Sequence, residues 1–316
     1  DPLQKVFIVQ ASTYVLHNLI LGFYSSKLIK LKSIKFKIFN STIREILHFS
    51  SQIALSDFFQ KFMSYSDKII VSILGTISGL SFYYIAFQVV SKVFEIPSNI
   101  LLVYYTKFGI SFAENNKVGL INDYGNVTRV TLILIIPILM NLFFASDFIL
   151  DLWLNNDSIS IISKILKIFC LGAFAGCLTL PSLSLSNAVG KPKFVLFSNI
   201  YTSILLLSVN IILIKIYGIY GAAFAWSIVQ FFPLFYLTIR LSKLLDFNYS
   251  NFMLNKILLP FTQMTVIYLT CYIINMFFIK NILVFLVISN TLLVISTYIF
   301  ILNSNEKKLI KIFLKK

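Results

Sequence analysis

Nine apolar runs follow one another along the chain, each near the length that crosses a bilayer rather than that of an ordinary core helix. They are Val6–Tyr24, Ile46–Leu74, Leu80–Tyr105, Val130–Ile149, Ile165–Leu185, Phe194–Ile216, Ala222–Ile239, Ile257–Phe278 and Ile282–Leu302. The expected fold class is therefore an all-α membrane protein with nine transmembrane helices. Composition agrees: 58% of the 316 residues are hydrophobic and 12% are charged, against about a quarter charged in a soluble domain. The formal net charge of +15 would suit nucleic acid if it lay on one folded surface. Instead the basic residues sit in short segments between spans, which argues against a nucleic-acid partner and for a membrane one.

The second and third spans carry charges at depths where charges are costly. On a helix, Asp57, Lys61, Ser64 and Lys68 fall at i, i+4, i+7 and i+11, one face. Gln88, Lys92, Glu95 and Asn99 repeat the spacing on the next span. Two neighbouring helices with matching polar stripes read as walls of a water-accessible cavity. The same spacings also permit Asp57–Lys61 and Lys92–Glu95 to pair within their own helices and do nothing further. Lys68 has no partner four residues away, and its neighbour Asp67 points about 100° around the helix. Asp67 is a candidate proton or cation site, or a hydrated helix-end residue.

Charge sets the expected orientation. With the N-terminus outside, the cytoplasmic connectors and the C-terminal tail collect 19 of the 27 basic residues, five lie at the outer edge and three are intramembrane. The connector from Ser25 to Arg44 interleaves lysines with apolar residues; it reads either as an interfacial amphipathic segment or as an ordinary basic loop. Ala145 to Ser160 holds Asp147, Asp151 and Asp157 without Lys or Arg, and Trp153 as an interface anchor. No charged leader with a cleavage site precedes Val6–Tyr24, so it reads as a span rather than a signal peptide. The chain, beginning at Asp1, is expected to be the C-terminal piece of a longer protein.

The GTISG segment at Gly75–Gly79, the NAVGKPK segment at Asn187–Lys193 and YGIYG at Tyr217–Gly221 read as turns, and Pro97 as a kink. Gly190-Lys191-Pro192-Lys193 offers amides and two ammonium groups to a phosphate but lacks nucleotide-loop spacing; a basic turn is the plainer reading. Cys170, Cys177 and Cys271 lie in apolar runs with no metal-ligand spacing, and only His17 and His48 are present, so neither a metal site nor a cofactor is expected. No catalytic arrangement sits in a sizeable extramembrane segment, and the chain does not read as an enzyme.

Several segments, in order, resemble the C-terminal two-thirds of Wzx-type polysaccharide flippases of the multidrug/oligosaccharidyl-lipid/polysaccharide exporter superfamily. They run from Asp67 to Gly75, Tyr84 to Lys92, Glu95 to Pro97, Asn187 to Lys193 and Tyr217 to Trp226. The resemblance implies the C-terminal part of a 14-helix, two-lobe exporter fold. Residues 1–45 would hold the last helix of the first lobe and a basic connector, 46–240 the second six-helix lobe, and 241–316 two additional helices and a basic tail. It implies a flippase that carries an undecaprenyl-pyrophosphate-linked oligosaccharide unit from the cytoplasmic to the periplasmic leaflet of the bacterial inner membrane by alternating access, with a cytoplasmic C-terminus. Lys61, Lys68 and Lys92 would balance pyrophosphate charge, and Tyr83, Tyr84, Gln88 and Asn99 would face sugar. Asp57, Asp67 and Glu95 are coupling-ion candidates. Partners would be the lipid-linked substrate, membrane lipids and other polysaccharide-assembly membrane proteins. A multidrug or cation antiporter of the same superfamily and a membrane-embedded polysaccharide polymerase are the alternatives.

Overall fold

A computed structural model describes residues 2–28, 41–154, 158–275 and 282–296. Every regular element in it is helical: α1 Pro2–Leu28, α2 Ser41–Leu74, α3 Ile77–Ser91, α4 Glu95–Ala113, α5 Lys117–Phe144, α6 Ser146–Leu154, α7 Ile159–Ala188, α8 Pro192–Tyr217, α9 Ile219–Val229, α10 Phe231–Leu245, α11 Tyr249–Phe252, α12 Leu259–Ile274 and α13 Ile282–Ser296. Two compact units divide between His48 and Phe49, inside α2. In the first, Ser12, Thr13 and Asn18 of α1 bond to the helix's own backbone. Thr13 Oγ1 donates to the Val9 carbonyl at 2.7 Å and Asn18 Nδ2 to that of Tyr14 at 2.8 Å. Such local satisfaction suits a helix among apolar surroundings.

Six helical stretches among the described residues are long and apolar enough to cross a membrane: Ile77–Ala113, Lys117–Phe144, Ile159–Ala188, Pro192–Tyr217, Ile219–Leu245 and Tyr249–Ile274. They contain the third to eighth runs of the sequence, the fourth only as far as Phe144, where α5 ends, and the last as far as Ile274. The first two runs are helices, α1 and α2, but are not among the six. The ninth is described as far as Ser296. Most of the basic connector (29–40), Asp157, 276–281 and the C-terminal tail lie outside the described residues.

The second unit is built around α7, which packs against α3, α4, α5, α6, α9 and α10. Two thirds of its apolar window is buried, against little more than a quarter for α8 and α12. Lipid supplies no hydrophobic drive between helices, so close approach depends on small residues. A Cβ on Gly172 would stand 2.6 Å from the Ser227 Cα, so any larger residue there would force α9 off α7. Interhelical hydrogen bonds add to this. Tyr124 and Ser182 meet at 2.7 Å across α5 and α7, and Ser227 Oγ donates to the Ile168 carbonyl at 2.8 Å. Tyr268 donates to Asn141 at 2.5 Å, tying α12 to α5.

The turns fall where the sequence placed them. At Gly75 the chain reverses, and Thr76 caps α3 by accepting from the Gly79 amide at 3.1 Å. Pro97 has no N–H to offer the turn before it, and a 3₁₀ turn at Lys92–Phe94 interrupts the long helical run there. Gly218, at φ 59°, joins α8 to α9 in a backbone region that favours glycine. Pro192 opens α8 in its first turn. The three cysteines are buried free thiols, packing residues as expected.

Candidate functional site

The polar stripes lie on the Phe49–Leu74 part of α2, on α3, on the 3₁₀ turn and on the start of α4, all within the second unit. Asp57, Lys61, Gln88, Lys92, Glu95 and Asn99 are exposed, and Ser64 and Lys68 are half-buried.

Lys68 is where α2 and α3 meet. Its ammonium donates to the Ser64 carbonyl at 2.7 Å and stands 4.3 Å from the Phe87 ring centroid, 5.7 Å from Tyr65 and 5.8 Å from Tyr84. Three rings around one cation hold it without neutralising it. Gln88 Nε2 donates to the Tyr84 hydroxyl at 2.5 Å, so Lys68, Tyr84 and Gln88 form one patch. One turn on, Lys92 donates to Glu95 at 2.7 Å, with side-chain exposures of 70% and 62%. This couple is formed as its spacing allowed. No ion pair joins Asp57 to Lys61 among the described residues.

Tyr83 is placed differently from the sequence expectation. It is fully buried, its ring packing edge-on against Phe169 of α7 at 5.0 Å and its hydroxyl donating to Asp67 Oδ2 at 2.8 Å. The physical reason is angular: residues 83 and 84 differ by about 100° on a helix, and with Tyr84 outward Tyr83 turns inward. Asp67 is also fully buried, and its Oδ1 accepts the Lys68 backbone N–H at 2.7 Å. It is thus an interior carboxylate on α2 rather than a hydrated helix-end residue.

Several long-range contacts had no marker in the sequence. Asn199 of α8 donates to the Ser56 carbonyl and hydroxyl at 3.1 and 2.9 Å, fastening α2 to α8. Lys107 pairs with Asp123, and Lys117 with Asp246, across 16 and 129 residues. The groups of His, Cys, Asp and Glu among the described residues include none that would hold a metal ion. A cleft of about 560 Å³ between α5, α7, α10 and α12 is lined almost wholly by apolar side chains and offers no group for chemistry.

Residues 8–163 match a family model described as polysaccharide biosynthesis protein. A putative O-antigen transporter of Shigella flexneri is 24% identical over 214 residues, 68% of this chain and 50% of that protein. The chain resembles the Wzx-type polysaccharide flippases. Its helices superimpose on the solved lipid II flippase MurJ, in an inward closed conformation, with a TM-score of 0.57. That match has 22% identity and covers 89% of this chain and 59% of that one; it shows a shared fold. The chain spans about half the length of the curated transporter it matches. These relatives are a transporter and a flippase, not enzymes.

Proposed function

We propose that this chain translocates a lipid-linked oligosaccharide, an undecaprenyl-pyrophosphate repeat unit, from the cytoplasmic to the periplasmic leaflet of a bacterial inner membrane by alternating access. One observation carries the reading: Asp57, Lys61, Lys92 and Glu95 are exposed on helices of a membrane protein. Ionisable groups facing acyl chains cost several kcal/mol each, so such a face requires water beside it. A hydrated wall with a cation at Lys68 that is caged by rings and held in no salt bridge among the described residues suits a diphosphate crossing ~30 Å of hydrocarbon. The match to a polysaccharide biosynthesis family and to an O-antigen transporter supports this substrate class.

In this reading nine spans form the C-terminal part of a two-lobe, 14-helix exporter: residues 1–45 end one lobe, 46–240 form the other and 241–316 are appended, with the C-terminus cytoplasmic. Lys61, Lys68 and Lys92 balance diphosphate charge, while Tyr84, Gln88 and Asn99 bind sugar. Tyr83 acts indirectly, by holding Asp67. Asp67 is the coupling-ion candidate that is sheltered from bulk water, with Asp57 and Glu95 the exposed ones. Other polysaccharide-assembly membrane proteins would supply and consume the substrate. The test is surface-polysaccharide display in cells relying on this transporter. Lys68→Ala and Lys92→Ala should each reduce display at unchanged membrane abundance; full display in both would overturn the assignment.

A further inference from the structure

The GKPK turn and the last turns of α10 carry cations that the α2–α4 face does not use. Lys107 and Lys117, by contrast, pair with Asp123 and Asp246. Lys193 and Arg240, both exposed, have no carboxylate partner among the described residues. Each lies over an aromatic ring instead: Lys193 Nζ is 5.6 Å from the Phe197 centroid, and the Arg240 guanidinium carbon 5.3 Å from that of Tyr236.

Those rings belong to one continuous strip. Tyr201 stands 6.2 Å from Phe197, 6.3 Å from Phe232 and 6.3 Å from Tyr236. Phe232 and Tyr236 stack at 5.7 Å. Tyr201 is 47% exposed and Phe197 37%, so the strip is a surface rather than core. α8 and the α9–α10 span are joined by the tight turn at Gly218 and run in opposite directions. Lys193 lies eight residues before Tyr201, and Arg240 four after Tyr236, so both cations come to the same end of the rings.

We propose that this strip binds one anionic glycerophospholipid of the surrounding membrane. Lys193 and Arg240 hold the phosphate, the Tyr201 and Tyr236 hydroxyls reach ester or glycerol oxygens, and an acyl chain lies over Phe197 and Phe232. Uncompensated positive charge selects an anion. The ring strip runs about 12 Å along α8 from Lys193 to Tyr201, into a span of the membrane, so the occupant has an apolar body beneath its charged head. A soluble phosphate would leave the rings uncovered. The strip shares no residue with the α2–α4 face and stands independently of the transport reading.

The test is native mass spectrometry of the purified protein in detergent, titrated with dioleoylphosphatidylglycerol or dioleoylphosphatidylcholine. Wild type should prefer phosphatidylglycerol. Lys193→Gln and Arg240→Gln should each weaken its binding about fivefold, and together roughly twentyfold, leaving phosphatidylcholine unchanged. Lys191→Gln with Lys243→Gln removes the same charge beside the strip and should cost less than about threefold, well short of the two-cation effect. The proposal is overturned by equal affinity for the two lipids, by an unchanged preference in the Lys193/Arg240 variants, or by equal losses in the control pair. Displacement of phosphatidylglycerol by geranylgeranyl diphosphate at lower concentration would give the cations to a diphosphate lipid and also overturn it.

Discussion

Replacing Lys68 by Met removes one charge while keeping an unbranched chain to lie against Phe87, Tyr65 and Tyr84. In wild type the ammonium is held 4.3 Å from the nearest ring centroid and 2.7 Å from the Ser64 carbonyl, so it meets an anion without first leaving a carboxylate. A unit charge about 4 Å away is worth ~1 kcal/mol in bulk water and ~4 kcal/mol at an effective dielectric near 20. A hydrated wall lies between these limits; about 2 kcal/mol corresponds to roughly a thirtyfold slower translocation at subsaturating substrate. Lys68→Arg keeps the charge and stacks on the same rings, and should stay within about threefold of wild type. The assay is translocation of a lipid-linked oligosaccharide in proteoliposomes, normalised to inserted protein. Wild-type rates for Lys68→Met at wild-type insertion would refute the reasoning, because the caged charge would then be doing nothing for the substrate.

Three further outcomes follow from the same geometry. Lys92→Ala leaves Glu95 exposed and uncompensated on the wall, so it should slow translocation more than Lys92→Ala with Glu95→Ala; equal rates for single and double variants would remove any role for the pair in repelling or admitting an anion. Tyr83→Phe deletes the hydroxyl that donates to fully buried Asp67 and should lower stability by about 1–3 kcal/mol; it is read as thermal unfolding in detergent, with no loss of stability counting against the interior placement. Outside the spans, burial raises the Asp147 carboxyl, but hydrogen bonds from Ser163 and Lys167 and the Lys167 charge outweigh it and hold it below the ordinary 3.8. Its folded pKa is depressed, so the contribution is full above the unfolded value and is lost as pH falls through the folded one. The Asp147 side chain is 61% exposed, so the effect is small. The stability gap between wild type and Asp147→Asn should close on acidification below about pH 4; a gap unchanged at low pH would contradict the pairing.

The sequence carried the helices and their punctuation because lipid length, Gly and Pro act locally. Thr76 at the head of α3, Pro97 at the 3₁₀ turn and Gly218 between α8 and α9 need no knowledge of tertiary contacts. The α2 stripe was legible for the same reason, since spacing alone puts Asp57, Lys61 and Lys68 on one side. Facing was harder. A membrane helix is apolar toward lipid and toward its neighbours, so periodicity does not say which side is inside; Tyr83 and Tyr84 look alike until Phe169 and Asp67 are in place. Pairing across distance was not legible at all, as Lys117–Asp246 illustrates. Asp57 and Lys61 had the spacing of an ion pair and do not form one, since hydration of two exposed groups removes most of the gain. The cation partners of Lys68, Lys193 and Arg240 proved to be rings, which no charge pattern announces.

Thiol accessibility tests most directly whether the charged face of α2–α4 borders water. With Cys170, Cys177 and Cys271 replaced by alanine, Lys61→Cys and Lys92→Cys should react rapidly with a membrane-impermeant methanethiosulfonate. Leu55→Cys, 45% exposed but about 160° around α2 from Asp57, should stay unreactive against acyl chains. If Lys61→Cys and Lys92→Cys proved as inert as Leu55→Cys, the face would border lipid or protein instead, and a hydrated route for the substrate along these helices would be contradicted.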